Sequence, residues 1–399
     1  MFKAKSKLDI NLIEALKNNP YEKYRVMIKC KTLFSTILKK VASFKDALIY
    51  EIEYCNIVVA NLSKREITLL IEYPEVEKIF FDEYLFLCGI SVASANKFYK
   101  SNSNLKFDGS GVKIGIVDSG VYPHLDLTRP TNKILEFKDV TYGITHPYDD
   151  NGHGTAMAGV ICSSGISSGD LYSGIAKNAN IISYKAFDAL GKGYASSILY
   201  SIEDLIKNYK EHNLRILCLP FEMLNSNSYI LKAFQNIFEK AVSFNIVPIV
   251  PTGSINVDEK TLKGISTLKN CIVVSGVTSE NTGVPYIYSS SSLSSKSKVP
   301  NFAAVCTNIT TLNSDINYIS EKNGTKLYPK KLDAKYKTYS GTSLSVAIVS
   351  AVCALLLQYN QTLKLDDLVS LINLSCTNDN DLPKNVVGEG IINLNKLLK

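Results

Sequence analysis

VKIGIVDSGV, Val112–Val121, is the stretch that decides the fold. Apart from Lys113, every residue from Val112 to Val117 is apolar or glycine. A run of that kind predicts a strand covered on both faces, as in a parallel sheet with helices on either side. It ends on Asp118, followed by Ser119 and Gly120. A carboxylate at the carboxyl end of a buried strand stands where catalytic groups collect in open α/β sheets. Taken alone, it serves equally well as a turn cap.

The same alternation continues downstream. NIISYKAFD reads as a strand, SSILYSIEDLIKNYKE as a helix and LRILCLP as a strand. SYILKAFQNIFEKAVSF then reads as a helix, and NIVPIVP and NCIVVSGV as strands. Strand and helix in turn predict an α/β domain over 111–399, a doubly wound, mostly parallel sheet. Upstream the pattern differs. Residues 21–88 carry the order expected of a small α+β, ferredoxin-like module: YRVMIKCK as a strand, TLFSTILKKVASF as a helix, IVVANLS as a strand, a helix opened by Ser63, and VEKIFFDEYL as a strand. Residues 1–20 form a lead with one short helix before Pro20, and 89–110 read as a linker.

Composition narrows the class. Apolar residues make up 46% and charged residues 20%, as in a globular protein with a large core. The net charge of +7 is spread along the chain, so a solvated lysine surface is expected and no nucleic-acid partner. Nine cysteines include no C-x-x-C pair and sit mostly in apolar runs, which reads as buried thiols in a reducing compartment. The first twenty residues lack a signal-type apolar core, and no stretch reads as a membrane span. The expected address is therefore the cytoplasm, with non-classical export left open.

Two further motifs fall at strand-to-helix transitions. In DDNGHGTAMAG, His153 stands between Gly152 and Gly154 and opens a small-residue helix. In YSGTSLSVAIVSAVCALLL, Ser343 opens a long apolar helix, at the positive end of its dipole. Each has a bland reading, as a structural histidine and as an N-cap serine. Together with Asp118 they supply what serine nucleophilic catalysis needs. A hydroxyl requires a base to take its proton, and the base requires a carboxylate to fix its tautomer. The chain order Asp118, His153, Ser343 is one of the known orders of such triads. No Gly-rich phosphate loop of the required form follows a strand, which disfavours a nucleotide-binding protein.

These residues carry a resemblance to the subtilisin-like serine proteases, the subtilases, over about residues 20–399. VKIGIVDSGVYPHLDL is similar to the family's aspartate motif, NGHGTAMAG to its histidine motif and SGTSLSVA to its serine motif. VGEGIINLNKLL is similar to the family's closing segment. The resemblance implies a hydrolase, a serine endopeptidase acting on a peptide or protein substrate. Its triad is Asp118, His153 and Ser343, and residues 21–88 are an inhibitory propeptide occupying the cleft as its own partner. It also implies an oxyanion hole from the Ser343 backbone N–H and, in place of the family's asparagine, Ser254. The implied substrate-binding positions are Leu219, Pro220, Phe221 and Glu222 on one strand, with Thr252 and Gly253 on another. Pro220 and Glu222 replace the usual serine and glycine, and Glu222 brings negative charge toward basic substrate residues. No cofactor is required by this chemistry. The one metal implied is calcium at Asp126, although the loop 163–173 lacks the family's asparagine-rich pattern. Two functions follow: a low-turnover precursor or leader-peptide processing protease, or an attenuated pseudoprotease that binds peptides with its propeptide retained.

Overall fold

The computed structural model describes residues 7–18, 20–87, 107–224, 227–253, 261–278, 284–293, 298–378 and 381–397. Most of the expected linker, together with Ser254, lies outside the described residues. The chain forms two compact units, Met1–Tyr84 with Tyr194–Asp204, and Leu85–Gly193 with Leu205–Lys399.

In the first unit the elements run α1 (Ile10–Asn18), β1 (Tyr24–Cys30), α2 (Phe34–Ala42), β2 (Leu48–Ile52), β3 (Ile57–Leu62), α3 (Lys64–Leu70) and β4 (Val76–Phe81). The strands form an antiparallel sheet of order β2-β3-β1-β4, the ferredoxin-like arrangement. Period-two alternation sorts β1 by face. Tyr24, Val26, Ile28 and Cys30 join a core with Leu12, Ile37, Val41 and Ile67 from the helices. Ser63 opens α3 with a reciprocal capping box, its hydroxyl accepting from Glu66 N while the Glu66 carboxylate accepts from Ser63 N. That contact satisfies two backbone donors that a helix start leaves orphaned. Arg25, on the opposite face of β1, reaches the Tyr194–Asp204 segment. Its Nη2 lies 2.9 Å from Ser196 Oγ, and its guanidinium stacks 4.0 Å from the Tyr194 ring centroid.

After β4 the elements in chain order are β5 (Tyr84–Leu87), β6 (Lys113–Asp118), β7 (Ile134–Asp139), α4 (His153–Cys162), β8 (Asn180–Lys185), β9 (Lys192–Tyr194), α5 (Ala195–Lys207), β10 (Leu214–Cys218), β11 (Phe221–Glu222), α6 (Ser228–Ser243), β12 (Val247–Pro251), β13 (Ile272–Val277), β14 (Phe302–Val305), β15 (Ile309–Leu312), β16 (Tyr336–Tyr339), α7 (Thr342–Tyr359) and α8 (Leu365–Ser375). α5 lies in the first unit over Ala195–Asp204; the others belong to the second, apart from Tyr84 of β5 and Tyr194 of β9. Seven strands make a parallel sheet of order β14-β13-β12-β10-β6-β8-β7. The chain leaves β6 toward β7 and leaves β10 toward β12, so the connections part between β6 and β10. That reversal opens a crevice at the carboxyl ends of the two strands, where ligands bind in sheets of this kind. The α/β class, the parallel sheet and the antiparallel module ahead of it match the sequence reading.

Two helices are wholly internal. Every residue of α4 is buried, as is α7 from Thr342 to Leu357. Both contribute to the main apolar core with β6, β10, β12 and β13. One expectation is corrected here. Thr342–Tyr359 is, among the described residues, long and apolar enough to cross a membrane by length and composition. It reads so because a helix buried on every side loses its polar face, as a membrane helix does.

Candidate active site

Asp118 ends β6 and is fully buried. His153 opens α4 with its Nδ1 at 2.8 and 2.9 Å from the two carboxylate oxygens of Asp118. Such a carboxylate favours the tautomer with hydrogen on Nδ1, which puts the ring's acceptor lone pair on Nε2. The two glycines beside His153 have different tasks. A Cβ on Gly154 would stand 2.1 Å from the carbonyl oxygen of Gly120 and 3.1 Å from Asp118 Cβ, so a side chain there would hold the helix off the aspartate. Gly152 has φ +95, a left-handed backbone that favours glycine, and a Cβ there would meet Ser314 Oγ at 2.8 Å.

Ser343, 1% exposed, sits in the first turn of α7 and points its hydroxyl at the carbonyl of Pro220, 3.0 Å away. Pro220 follows β10, the strand next to β6. The carboxylate–imidazole pair and the hydroxyl therefore rest on adjacent strand ends at the crevice.

Residues 109–390 match the Subtilase family. The chain belongs to that family.

Among its relatives, the serine protease AprX of Bacillus subtilis is 29% identical over 341 residues, 82% of this chain and 75% of AprX. The alkaline serine exoprotease A of Vibrio alginolyticus is 26% identical over 79% of this chain, which spans only 54% of that protein. The fold is shared with the epidermin leader peptide processing serine protease of Staphylococcus aureus, at TM-score 0.72 and 17% identity over 95% of this chain and 98% of that one. By family this subtilase is a subtilisin-like serine protease, a hydrolase.

The other positions expected from the motifs fall as follows. Leu219 and Phe221 are buried, and the Phe221 ring packs between Phe187 and Phe234 at centroid distances of 5.4 and 6.3 Å. Their side chains are thus spent on the interior. Leu219 N is already used, donating to Ile249 O at 3.0 Å, and Pro220 has no N–H to offer. β11 is paired antiparallel with β5, Leu87 opposite Phe221 and Phe86 opposite Glu222, in a three-stranded sheet of order β11-β5-β9. Thr252 is buried, with its hydroxyl 2.9 Å from Ser289 Oγ, and Gly253 adopts φ +89. A Cβ on Gly253 would lie 2.7 Å from Glu222 Oε2, so the glutamate's carboxylate rests against this glycine.

Asp126 has a different setting from the one the resemblance implied. Asp126 is buried; its Oδ1 accepts from Ser167 N at 3.1 Å and its Oδ2 from the Tyr336 hydroxyl at 2.5 Å. Burial and the hydrogen bond to Asp126 both push the Tyr336 phenol up, keeping it a donor. Calcium takes six to eight oxygen ligands. A carboxylate already spent on a phenol and an amide does not fit that role, and no three His, Cys, Asp or Glu side chains converge as a metal site among the described residues.

Sequence reasoning missed the group that seats α4. Asp149 is buried and takes five donors. Its Oδ1 accepts from Ser119 Oγ at 2.9 Å, Gly152 N at 2.8 Å and Asn151 N at 3.1 Å; its Oδ2 accepts from Thr155 N at 2.8 Å and Thr155 Oγ1 at 2.6 Å. Ser119 Oγ in turn accepts from Gly154 N at 3.0 Å. The orphan donors at the start of α4 are thereby satisfied without a conventional N-cap side chain. Lys185, also fully buried, donates to Ser119 O at 2.9 Å, Phe187 O at 2.8 Å and Asp150 Oδ1 at 2.6 Å, using all three ammonium protons. Asp149 and Lys185 position the turn after Asp118 against the residues before His153. The signal was a pair of aspartates four and three residues ahead of the histidine, which a loop would also supply.

Proposed function

We propose that this subtilase is a serine endopeptidase in which Ser343 attacks the scissile carbonyl. His153 Nε2 takes the hydroxyl proton and passes it to the departing amine, leaving an acyl-enzyme. Water then attacks the ester, gives a proton to the same imidazole and releases the acid and the free serine. Asp118 keeps the imidazole oriented throughout. The Asp118–His153 bond at 2.8 Å, on the strand beside the one that leads to the Ser343 acceptor, carries this reading. The Ser343 backbone N–H and Ser254 are the proposed oxyanion donors. A serine is shorter than the family's asparagine, which is in keeping with a slow enzyme.

Residues 21–88 are proposed as its propeptide. Support comes from the antiparallel pairing of Leu87 with Phe221 and Phe86 with Glu222, the way an extended peptide adds to an edge strand. A slow protease with a pre-occupied strand suits the maturation of one or a few precursors, a leader-peptide processing role of the kind named for the Staphylococcus neighbour. The Glu222 carboxylate beside Gly253 favours a basic residue there.

The test is the mass of purified wild type against Ser343→Ala. Scission between residues 85 and 91 in the wild type alone, with fluorophosphonate labelling lost in the variant, is the expected result. Two intact and unlabelled proteins would mark a peptide-binding pseudoprotease instead.

A further inference from the structure

A pocket of about 720 Å³ lies on the connection that follows Asp118, away from the described site. One wall is Tyr122, buried and fastened by its backbone N to Thr155 Oγ1 at 2.8 Å, two residues beyond His153. The facing wall is Tyr318, edge-on to Tyr122 with ring centroids 5.4 Å apart. Tyr122 also donates its hydroxyl to Lys330 O at 3.2 Å, tying the outer segment to the floor. Burial raises that phenol to about 12, so it remains a neutral donor.

The charge of the lining is one-sided. Arg129, Lys326, Lys330, Lys331 and Lys335 all line the pocket, and no aspartate or glutamate does. The nearby acids lie outside it or are engaged. Glu321 accepts from Thr145 Oγ1 at 2.6 Å, Asp315 accepts from Asn317 N at 3.0 Å, and Asp333 sits in the same outer segment as the lysines. Five cations gathered around an aromatic pocket attract anions more strongly than the same lysines spread over a surface. The strand direction at β11 bears on which part of a substrate is left for it. A chain seated on β11 as β5 is advances from Glu222 toward Phe221 and Pro220, whose carbonyl meets the Ser343 hydroxyl. β11 thus takes the residues ahead of the scissile bond, which leaves those after it for a second contact.

We propose that this pocket is an exosite for a carboxylate-rich segment of the polypeptide substrate, lying on the carboxyl-terminal side of the scissile bond. The assignment rests on the protease reading above and gives that protease a preference for precursors with aspartate and glutamate downstream of the cut.

Binding is measured first without catalysis, on full-length Ser343→Ala, by fluorescence anisotropy of a labelled peptide of about six consecutive glutamates against its serine counterpart. The glutamate peptide binds about tenfold tighter at about 50 mM salt, and the difference disappears at about 500 mM. Lys330→Glu/Lys331→Glu abolishes the preference, and Arg129→Ser weakens it about threefold. Equal binding of the two peptides, or an unchanged preference in both variants, overturns the proposal. So does tighter binding of a single-stranded oligonucleotide than of the glutamate peptide, which would make the pocket a nucleic-acid site. Cleavage is then compared on peptides with one upstream sequence and either an acidic or a serine tail. The acidic tail lowers KM in the wild type and not in Lys330→Glu/Lys331→Glu, while a short peptide anilide without a tail is turned over equally by both, which also shows that the variant folds. If the glutamate peptide binds but no peptide is cleaved, the protease reading fails and the anion site stands.

Discussion

Asp82 in the first unit and Asp149 in the second are both buried carboxylates, and they are partnered in opposite ways. Asp82 pairs with a cation: Arg25 Nε lies 2.6 Å from its Oδ2, Ser196 N lies 2.8 Å from its Oδ1, and the Ser196 hydroxyl also donates to it. These groups come from three distant parts of the chain. Asp149 has a collar of uncharged amides and hydroxyls, all from residues 119–155. Burial pushes the Asp82 carboxyl up in spite of the arginine beside it. Removing an ion pair from water carries a desolvation penalty that its attraction only partly offsets, whereas amides inside a helix start have no better partner than the carboxylate. The first arrangement suits segments that separate and return to water. The second suits a site whose geometry is permanent.

The largest effect is expected from Asp149→Ala. It strands several buried donors around the start of α4 and should cost about 3–5 kcal/mol in urea unfolding of the Ser343→Ala protein. A loss under about 1 kcal/mol would show that the collar is dispensable and remove the contrast. Asp82→Ala should cost less, about 1–2 kcal/mol, because Arg25 keeps 24% of its side chain exposed and can turn to solvent. In a chain cut as proposed between residues 85 and 91, the same change should speed release of the N-terminal piece, read by size-exclusion chromatography. Equal losses from the two substitutions would mean that the ion pair is as integral as the collar. The smallest effect concerns Asp126. With a phenol and an amide on its carboxylate, excess chelator should move Tm by less than about 1 °C, while Tyr336→Phe should cost about 1 kcal/mol. A fall of several degrees with chelator would restore a metal to this position.

The parts of the site that were legible are those written in short runs. Asp118, His153 and Ser343 each sit in a motif where a chemical residue interrupts an apolar or small-residue pattern, so their order alone suggested one device. Gly154 was legible as a glycine beside the histidine, although what it makes room for, the carbonyl of Gly120, was not. Asp126 misled because a carboxylate in a family-like motif says nothing about which donor faces it. The phenol that does so is 210 residues away.

The sequence by itself determined the element types, the α/β class and which residues are proposed as the reactive groups. Each of these depends on the periodicity or chemistry of residues close together in the chain. Only the tertiary structure decided the β6–β10 reversal that makes the crevice, the Asp149 collar, the setting of Asp126 and the cationic pocket between Tyr122 and Tyr318. These arise where segments far apart in the chain converge, and local propensity carries no record of which partner a buried polar group will meet.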